Sequence, residues 1–142
     1  MGKKQVSISD SIVQVCEPMD HDMRVFESGA TRNVDTGKPR YAGFLSPEVL
    51  QEFGRYMLRH QTQADGTTRE PDNWKKGIPI DAYMESLLRH VIDIWQIHAN
   101  NKGEDFAPTA DVSALKEALS ATMFNTMGYL YEILKSEEEQ SW

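Results

Sequence analysis

Apolar residues recur at helical spacing in three stretches of the chain and nowhere else for long. In the first, Val49, Leu50, Phe53, Tyr56 and Met57 fall three to four residues apart, as one face of a helix requires. Ser46 is placed to cap this helix, Pro47 suits its first turn, and Glu48 favours the positive end of its dipole. The pattern predicts an end near Ala64-Asp65-Gly66, followed by the polar loop TTREPDNWKKGIP, which encloses Trp74. A second helix is expected from Asp81, a capping residue, to Asn100. Ile80, Tyr83, Met84, Leu87, Leu88, Val91, Ile94, Trp95 and His98 make one broad apolar face, and Asn100-Asn101-Lys102-Gly103 is the stop signal. A third helix follows from Asp111 or Ser113, with Leu115, Leu119, Thr122, Met123, Thr126, Met127, Leu130, Ile133 and Leu134 on its expected buried side. The ending SEEEQSW reads as a solvated tail.

Before the helices the pattern changes. Residues 4–16 (KQVSISDSIVQVC) alternate loosely and carry β-branched side chains, which predicts one or two short strands or an arm pairing with another subunit. Residues 27–44 are rich in Gly, Asn, Asp and Pro and read as a loop. The expected fold is therefore mainly α: a small bundle of three main helices with a short N-terminal β arm. It divides into an arm (1–26), a helical domain (27–135) and an acidic tail (136–142). The second and third helices are too apolar for a monomer to cover, so completion by homo-oligomerisation is expected.

Composition narrows the function classes. The 142 residues suffice for one domain and one core, and 39% hydrophobic content is ordinary for a globular protein. With 15 basic and 22 acidic residues the net charge is −7, which argues against non-specific nucleic-acid binding. A local basic patch can still hold one small anion. No apolar run approaches a membrane span, and no signal-peptide core follows the first residues. Val6 stands where a myristoylation signal wants a hydroxyl residue. Cys16 is the only cysteine, which excludes a disulfide or a Cys-based zinc site within one chain. A cytoplasmic protein is the simplest reading.

Four groups of residues can carry chemistry. The loop Arg32-Asn33-Val34-Asp35-Thr36-Gly37-Lys38-Pro39-Arg40-Tyr41 places Arg32, Lys38 and Arg40 close together in an acidic chain, where they can grip a phosphate. Composition alone favours a solvated turn. In Asp72-Asn73-Trp74-Lys75-Lys76-Gly77, Trp74 can stack a base while Lys75 and Lys76 hold its phosphate. Equally, Trp74 can close the bundle end with the lysines reaching outward. On the second helix Glu85, Arg89 and Asp93 share a stripe, with Ser86, His90 and Asp93 beside it. Glu85 and Asp93 can hold magnesium, and Asp93 can orient His90. The commoner outcome is a surface ladder of Glu85, Arg89 and Asp93. On the third helix Glu117, Ala121, Asn125 and Glu132 lie along one stripe. An antiparallel neighbour would bring Glu117 and Asn125 near Glu85 or Asp93, as in bundle metal sites. His21, His60 and His98 have no partner at ligand spacing, and no Ser–His–Asp set, phosphate loop or HExxH motif occurs.

Taken together these segments resemble a known family. GATRNVDTGKPRYAGFLSPEVL is similar to the opening of the dATP/dGTP diphosphohydrolase N-terminal domain, common in phage genomes: Gly-Ala-x-Arg, Gly-Lys-x-Arg-Tyr, then a Pro-initiated helix. NWKKGIP resembles its Asn-Trp-x-x-Gly-x-Pro segment, SLLRHVIDIW its Ser-x-x-Arg-His helix, and GED its Gly-Glu-Asp step. The likeness spans about residues 27–134. It implies action on deoxypurine nucleotides with a divalent metal such as magnesium, held in the distantly related MazG-like proteins by carboxylates on neighbouring helices. It implies that Arg32, Lys38, Arg40, Tyr41, Asn73, Trp74, Gly77, Arg89 and His90 are site residues.

The third helix departs from the pattern. Where the family carries His-Leu-x-His-Ala-x-x-Asn, this chain has LKEALSATMFN, with Ala118 and Ala121 in the histidine places and only Asn125 kept. No Glu-Glu-x-x-Glu run appears, and the loop after Gly103 is lengthened. Loss of the histidines with retention of the cations favours a protein that binds a purine nucleotide, or a signal derived from one, with little or no turnover. A phage could use such a protein for counter-defence, in the host cytoplasm. The alternatives are a magnesium-dependent pyrophosphohydrolase using Glu85, Asp93, Glu104, Asp105 or Glu117, and a protein-interaction module in which these motifs only maintain the fold.

Overall fold

The computed structural model describes residues 23–101 and 110–141. The predicted strands at 4–16, and Glu104 and Asp105, lie outside the described residues. The chain forms two compact units, Met1–Phe44 and Leu45–Trp142. This division falls inside the expected 27–135 domain.

The first unit contains more regular structure than its composition suggests. Strand β1 (Met23–Val25) pairs antiparallel with β2 (Thr31–Asn33), with Arg24 directly opposite Arg32. The turn between them closes through Phe26 N–H donating to Ala30 O at 2.8 Å, and Gly29 supplies the positive φ of 81° that it needs. A short helix, α1 (Tyr41–Phe44), follows. Residues 27–44 are thus not simply a loop: a hairpin turn, a strand and a helical turn take up their backbone hydrogen bonds.

The second unit is built on three long helices: α2 (Pro47–Arg59), α3 (Ile80–Asn100) and α4 (Ala110–Gln140). The mainly helical fold expected from the pattern is what forms. Ser46 caps α2, its Oγ accepting from Val49 N at 3.3 Å and donating to Glu48 Oε2 at 2.7 Å. The helix stops at Arg59, earlier than the apolar pattern predicts. Gln61–Arg69 instead fold back on themselves: Arg69 N donates to Gln61 O, Gln63 N to Thr67 O, and Asp65 accepts from Thr67. Those bonds take the backbone groups a longer helix would need. A 3₁₀ turn, Asn73–Lys76, then leads to α3. Pro79 occupies the cap position of α3 with no side-chain cap, and Asp81 sits in the first turn rather than capping it. Helix α4 runs through the expected tail to Gln140.

α3 and α4 pack antiparallel. Near the start of α3, Tyr83 meets Phe124 and Gly128 well along α4. At the other end, Ile97 and Asn100 share a cavity with Ala114 and Glu117. The seam is heptad-like: Tyr83, Leu87, His90, Ile94 and Ile97 from α3 against Ala118, Ala121, Asn125 and Gly128 from α4, all buried or half-buried. The buried side of α4 is thus not the large apolar stripe expected from the pattern. Leu119, Leu130, Ile133 and Leu134 are exposed, while small residues face α3 because they let the two backbones come close. α2 packs on another side of α4, through Tyr56, an Arg59–Glu117 ion pair at 2.9 Å and a Lys116–Glu52 pair at 3.4 Å. Among the described residues no helix is long and apolar enough to cross a membrane.

Candidate functional site

The second unit carries two adjoining cavities whose shared wall is the end of α2. Tyr56 and His60 are one helical turn apart, so their side chains lie on one face. Their rings meet with centroids 4.3 Å apart. Both side chains line both cavities.

The first cavity, about 380 Å³, has an aromatic interior. Trp74 stands at its side, held edge-on against Tyr131 (centroids 4.9 Å) and Phe124 (6.5 Å) of α4. Tyr56, Met57, Ile78 and Phe124 supply further apolar surface. Polar residues line it from three segments: Gln61, Arg69 and Glu70 from the stretch after α2, Asn73 from the 3₁₀ turn, and His60 from the helix end, with Gln61 Nε2 donating to Arg69 O at 3.0 Å. An apolar cleft with a few convergent polar groups is the usual form of a small-molecule site.

The second cavity has a volume of about 480 Å³. His90, Asp93, Gln96 and Asn100 enter it from α3 and Glu117 from α4, where Ala114, Ala118 and Ala121 leave room. Glu117 is engaged on both oxygens: Oε2 accepts from Arg59, and Oε1 pairs with His60 Nε2. The hydrogen bond from His60, reinforced by Arg59, holds the Glu117 carboxyl below the usual carboxylate range against the opposing effect of burial. Burial raises the Tyr56 hydroxyl, and the charge of Glu117 raises it further. His90 Nδ1 stands 3.7 Å from Asp93 Oδ2, a looser pair.

The structure sorts the residues expected from the sequence. Asn73 and Trp74 line the first cavity, and His90, Asp93 and Glu117 the second. Lys75 and Lys76 line neither: the Lys75 ammonium lies 5.7 Å from the Trp74 ring centre, and Lys76 donates to Asn73 Oδ1 at 3.3 Å. Arg89 and Glu85 are exposed on α3 and line neither cavity. No ion pair joins Glu85, Arg89 and Asp93, so the surface ladder does not form. Asn125 is buried in the α3–α4 seam and donates to Ala121 O at 2.8 Å, a packing position. Arg32, Lys38, Arg40 and Tyr41 belong to the first unit, where all are exposed. There Asp35 pairs with Arg24 at 2.8 Å.

Of the three carboxylates considered for magnesium, Asp93 and Glu117 share a cavity and Glu85 stands apart. Among the described residues no group of three or more His, Cys, Asp or Glu side chains is disposed to hold a metal ion. Both Glu117 oxygens are already engaged by Arg59 and His60, so a magnesium ion shared by Asp93 and Glu117 would have to displace those bonds.

His60, Arg59, Gln61 and Arg69 are functional candidates that the sequence pattern passes over. The one available signal was the Tyr56/His60 spacing on a capped helix. No protein-family model, curated protein or solved structure matches the chain.

Proposed function

We propose that this protein binds a purine nucleotide, or a signal derived from one, and holds it with little or no turnover. The observation that carries the reading is the first cavity. Its Trp74, Tyr56 and Phe124 rings offer π surface to a planar base, with Asn73, Gln61 and Arg69 at the edge to meet the polar atoms of the base or a phosphate oxygen. Its volume lies within the range of small-ligand pockets. The second cavity opens beyond His60 and gives the rest of such a ligand somewhere to go. Arg69 takes the cationic role that the sequence assigned to Arg32, Lys38 and Arg40; those residues carry no part of this reading. Retention without hydrolysis is supported by the engagement of Glu117 on both oxygens, which leaves Asp93, loosely paired with His90, and Glu70 as the other carboxylates lining the two cavities. In a phage-infected cell, a protein of this kind would sequester a nucleotide signal or sense a nucleotide pool.

Titration calorimetry of the full chain against dATP, dGTP, ATP and cyclic purine nucleotides tests this. The expected result is stoichiometric binding of at least one of them, intact ligand recovered by chromatography, and at least tenfold weaker binding in Trp74→Ala. Absence of heat with the whole panel rejects the reading.

A second reading, metal-dependent hydrolysis, is favoured by one observation: Asp93 and Glu117 come from facing helices into one cavity that also holds His60 and His90. It requires many turnovers of a deoxynucleoside triphosphate with magnesium or manganese present, and loss of that activity in Asp93→Asn.

A further inference from the structure

The first cavity has one permanent cation in its lining, Arg69, and Glu70 beside it carries the opposite charge. A phosphate therefore needs a second positive group. Lys75 and Lys76 line neither cavity, and Arg59 is committed to Glu117. Of the residues lining the first cavity, only His60 can become that second group.

The surroundings of His60 settle which of its nitrogens a ligand meets. Its Nε2 is taken by Glu117 Oε1. The Glu117 carboxyl is held below the usual range, chiefly by this bond, so at neutral pH it is ionised and can only accept; Nε2 must carry a hydrogen. Arg59 holds the other Glu117 oxygen at 2.9 Å, and the Tyr56 ring lies against the imidazole with centroids 4.3 Å apart. Nδ1 is the nitrogen left over, and nothing bonds to it among the described residues. In the neutral ring it is a lone pair, which repels a phosphate oxygen. In the protonated ring it is a charged donor, and a carboxylate on one side with a phosphate on the other favours that state.

Resting on the nucleotide reading, we propose that the ligand's phosphate lies between Arg69 and His60, and that His60 takes up a proton as the phosphate binds. The base then lies towards Trp74 and Phe124, and the phosphate at the wall shared with the second cavity. The titratable and charged groups around His60 are Tyr56 and Arg59 on α2, Glu117 on α4, His90 and Asp93 of α3 in the second cavity, and Arg69 and Glu70 in the first. Histidine is the one side-chain type among them that ordinarily titrates near neutrality, so His90 is the control. A neutral His60 would instead accept from an amino group of the base, and no proton would be taken up.

Calorimetry of the full chain at about pH 7.5, in two buffers of different ionisation enthalpy, counts the protons taken up with dATP, dGTP, ATP or cyclic AMP. An opposite charge at hydrogen-bond distance moves a titration by about one to three pH units, so roughly half a proton or more is expected per nucleotide bound. Binding is expected to weaken above about pH 7 by up to about tenfold per unit, the slope of one linked proton. His60→Gln is expected to bind roughly tenfold more weakly at about pH 7.5, with no proton uptake and a flat profile, while His90→Gln keeps both. If His60→Gln loses helical circular dichroism, His60→Asn replaces it. Heat without proton uptake in the wild type overturns this placement and leaves the nucleotide reading standing. So does uptake that persists in a folded His60 variant, or that vanishes in His90→Gln. Absence of heat with every nucleotide removes that reading and this inference together.

Discussion

Gly128 decides how near α4 comes to α3. A β-carbon built there would lie 2.4 Å from two atoms of the Tyr83 ring and 2.6 Å from its hydroxyl. Alanine favours a helix over glycine by about 1 kcal/mol, but overpacking of this kind costs about 1–3 kcal/mol, and Tyr83 is only 1% exposed and has nowhere to move. Gly128→Ala is therefore expected to lower the thermal midpoint, the reverse of an ordinary Gly→Ala change in a helix; differential scanning fluorimetry decides. The Tyr83 hydroxyl is buried without a hydrogen-bond partner. Tyr83→Phe removes an unsatisfied polar atom and keeps the ring, so it is expected to leave stability unchanged or raise it by up to about 1 kcal/mol in urea unfolding. Glu117 gives a pH signature. Its folded-state carboxyl titrates below its ordinary value of 4.5, so its contribution is complete above that value and is lost as pH falls through the lower folded value. The side chain is 42% exposed, so screening holds the contribution below about 1 kcal/mol. Glu117→Gln is expected to flatten that part of the acid limb of stability, read from urea midpoints between pH 3 and 6. None of the pairing behind this was legible in the sequence. His60 had no partner at ligand spacing because its partner is 57 residues away. Asn125 drew attention as a site residue because it shares a stripe with Glu117 and keeps the Asn of the resembled pattern, yet its amide bonds back to Ala121 within the seam.

At the scale of elements, helix existence was readable and helix orientation was not. Ser46, Pro47 and Glu48 announced α2, and Ser46→Ala is expected to cost about 1 kcal/mol by releasing Val49 N, measurable by thermal unfolding. The end of α2 was misjudged because apolar periodicity says nothing of Asp65, which binds both the backbone and the hydroxyl of Thr67 and stabilises a fold-back instead. On α4 the pattern pointed to the large side chains as the buried ones. That rule assumes burial goes to whatever is most apolar. Here the aromatic and aliphatic bulk comes from Tyr83, Leu87 and Ile94 of α3, and α4 answers with Ala118, Ala121, Asn125 and Gly128. Packing density requires large against small across a close seam, and a single helix's pattern cannot reveal which partner supplies the bulk.

For the whole molecule, the second unit can be treated as a helical frame with a ligand face and a bare apolar face, and stability reports on each differently. A ligand that binds only the folded state adds about 2.7 kcal/mol at a hundredfold excess over its Kd. For a chain of this length that corresponds to a rise of about 8 °C in the thermal midpoint. If the aromatic cavity is the site, the nucleotide that gives heat in calorimetry is expected to produce a shift of this order in the wild type and a shift smaller by at least 4 °C, roughly half, in Trp74→Ala at the same ligand concentration, where binding is at least tenfold weaker. The unliganded midpoint of Trp74→Ala will itself be lower, because Trp74 packs on Phe124 and Tyr131, so the comparison must be made between shifts and not between midpoints. A dimer leaves a separate signature: its midpoint climbs with protein concentration in the absence of any ligand. A ligand shift retained in full by Trp74→Ala would place the nucleotide elsewhere on the molecule and remove the ground for assigning it to this cavity.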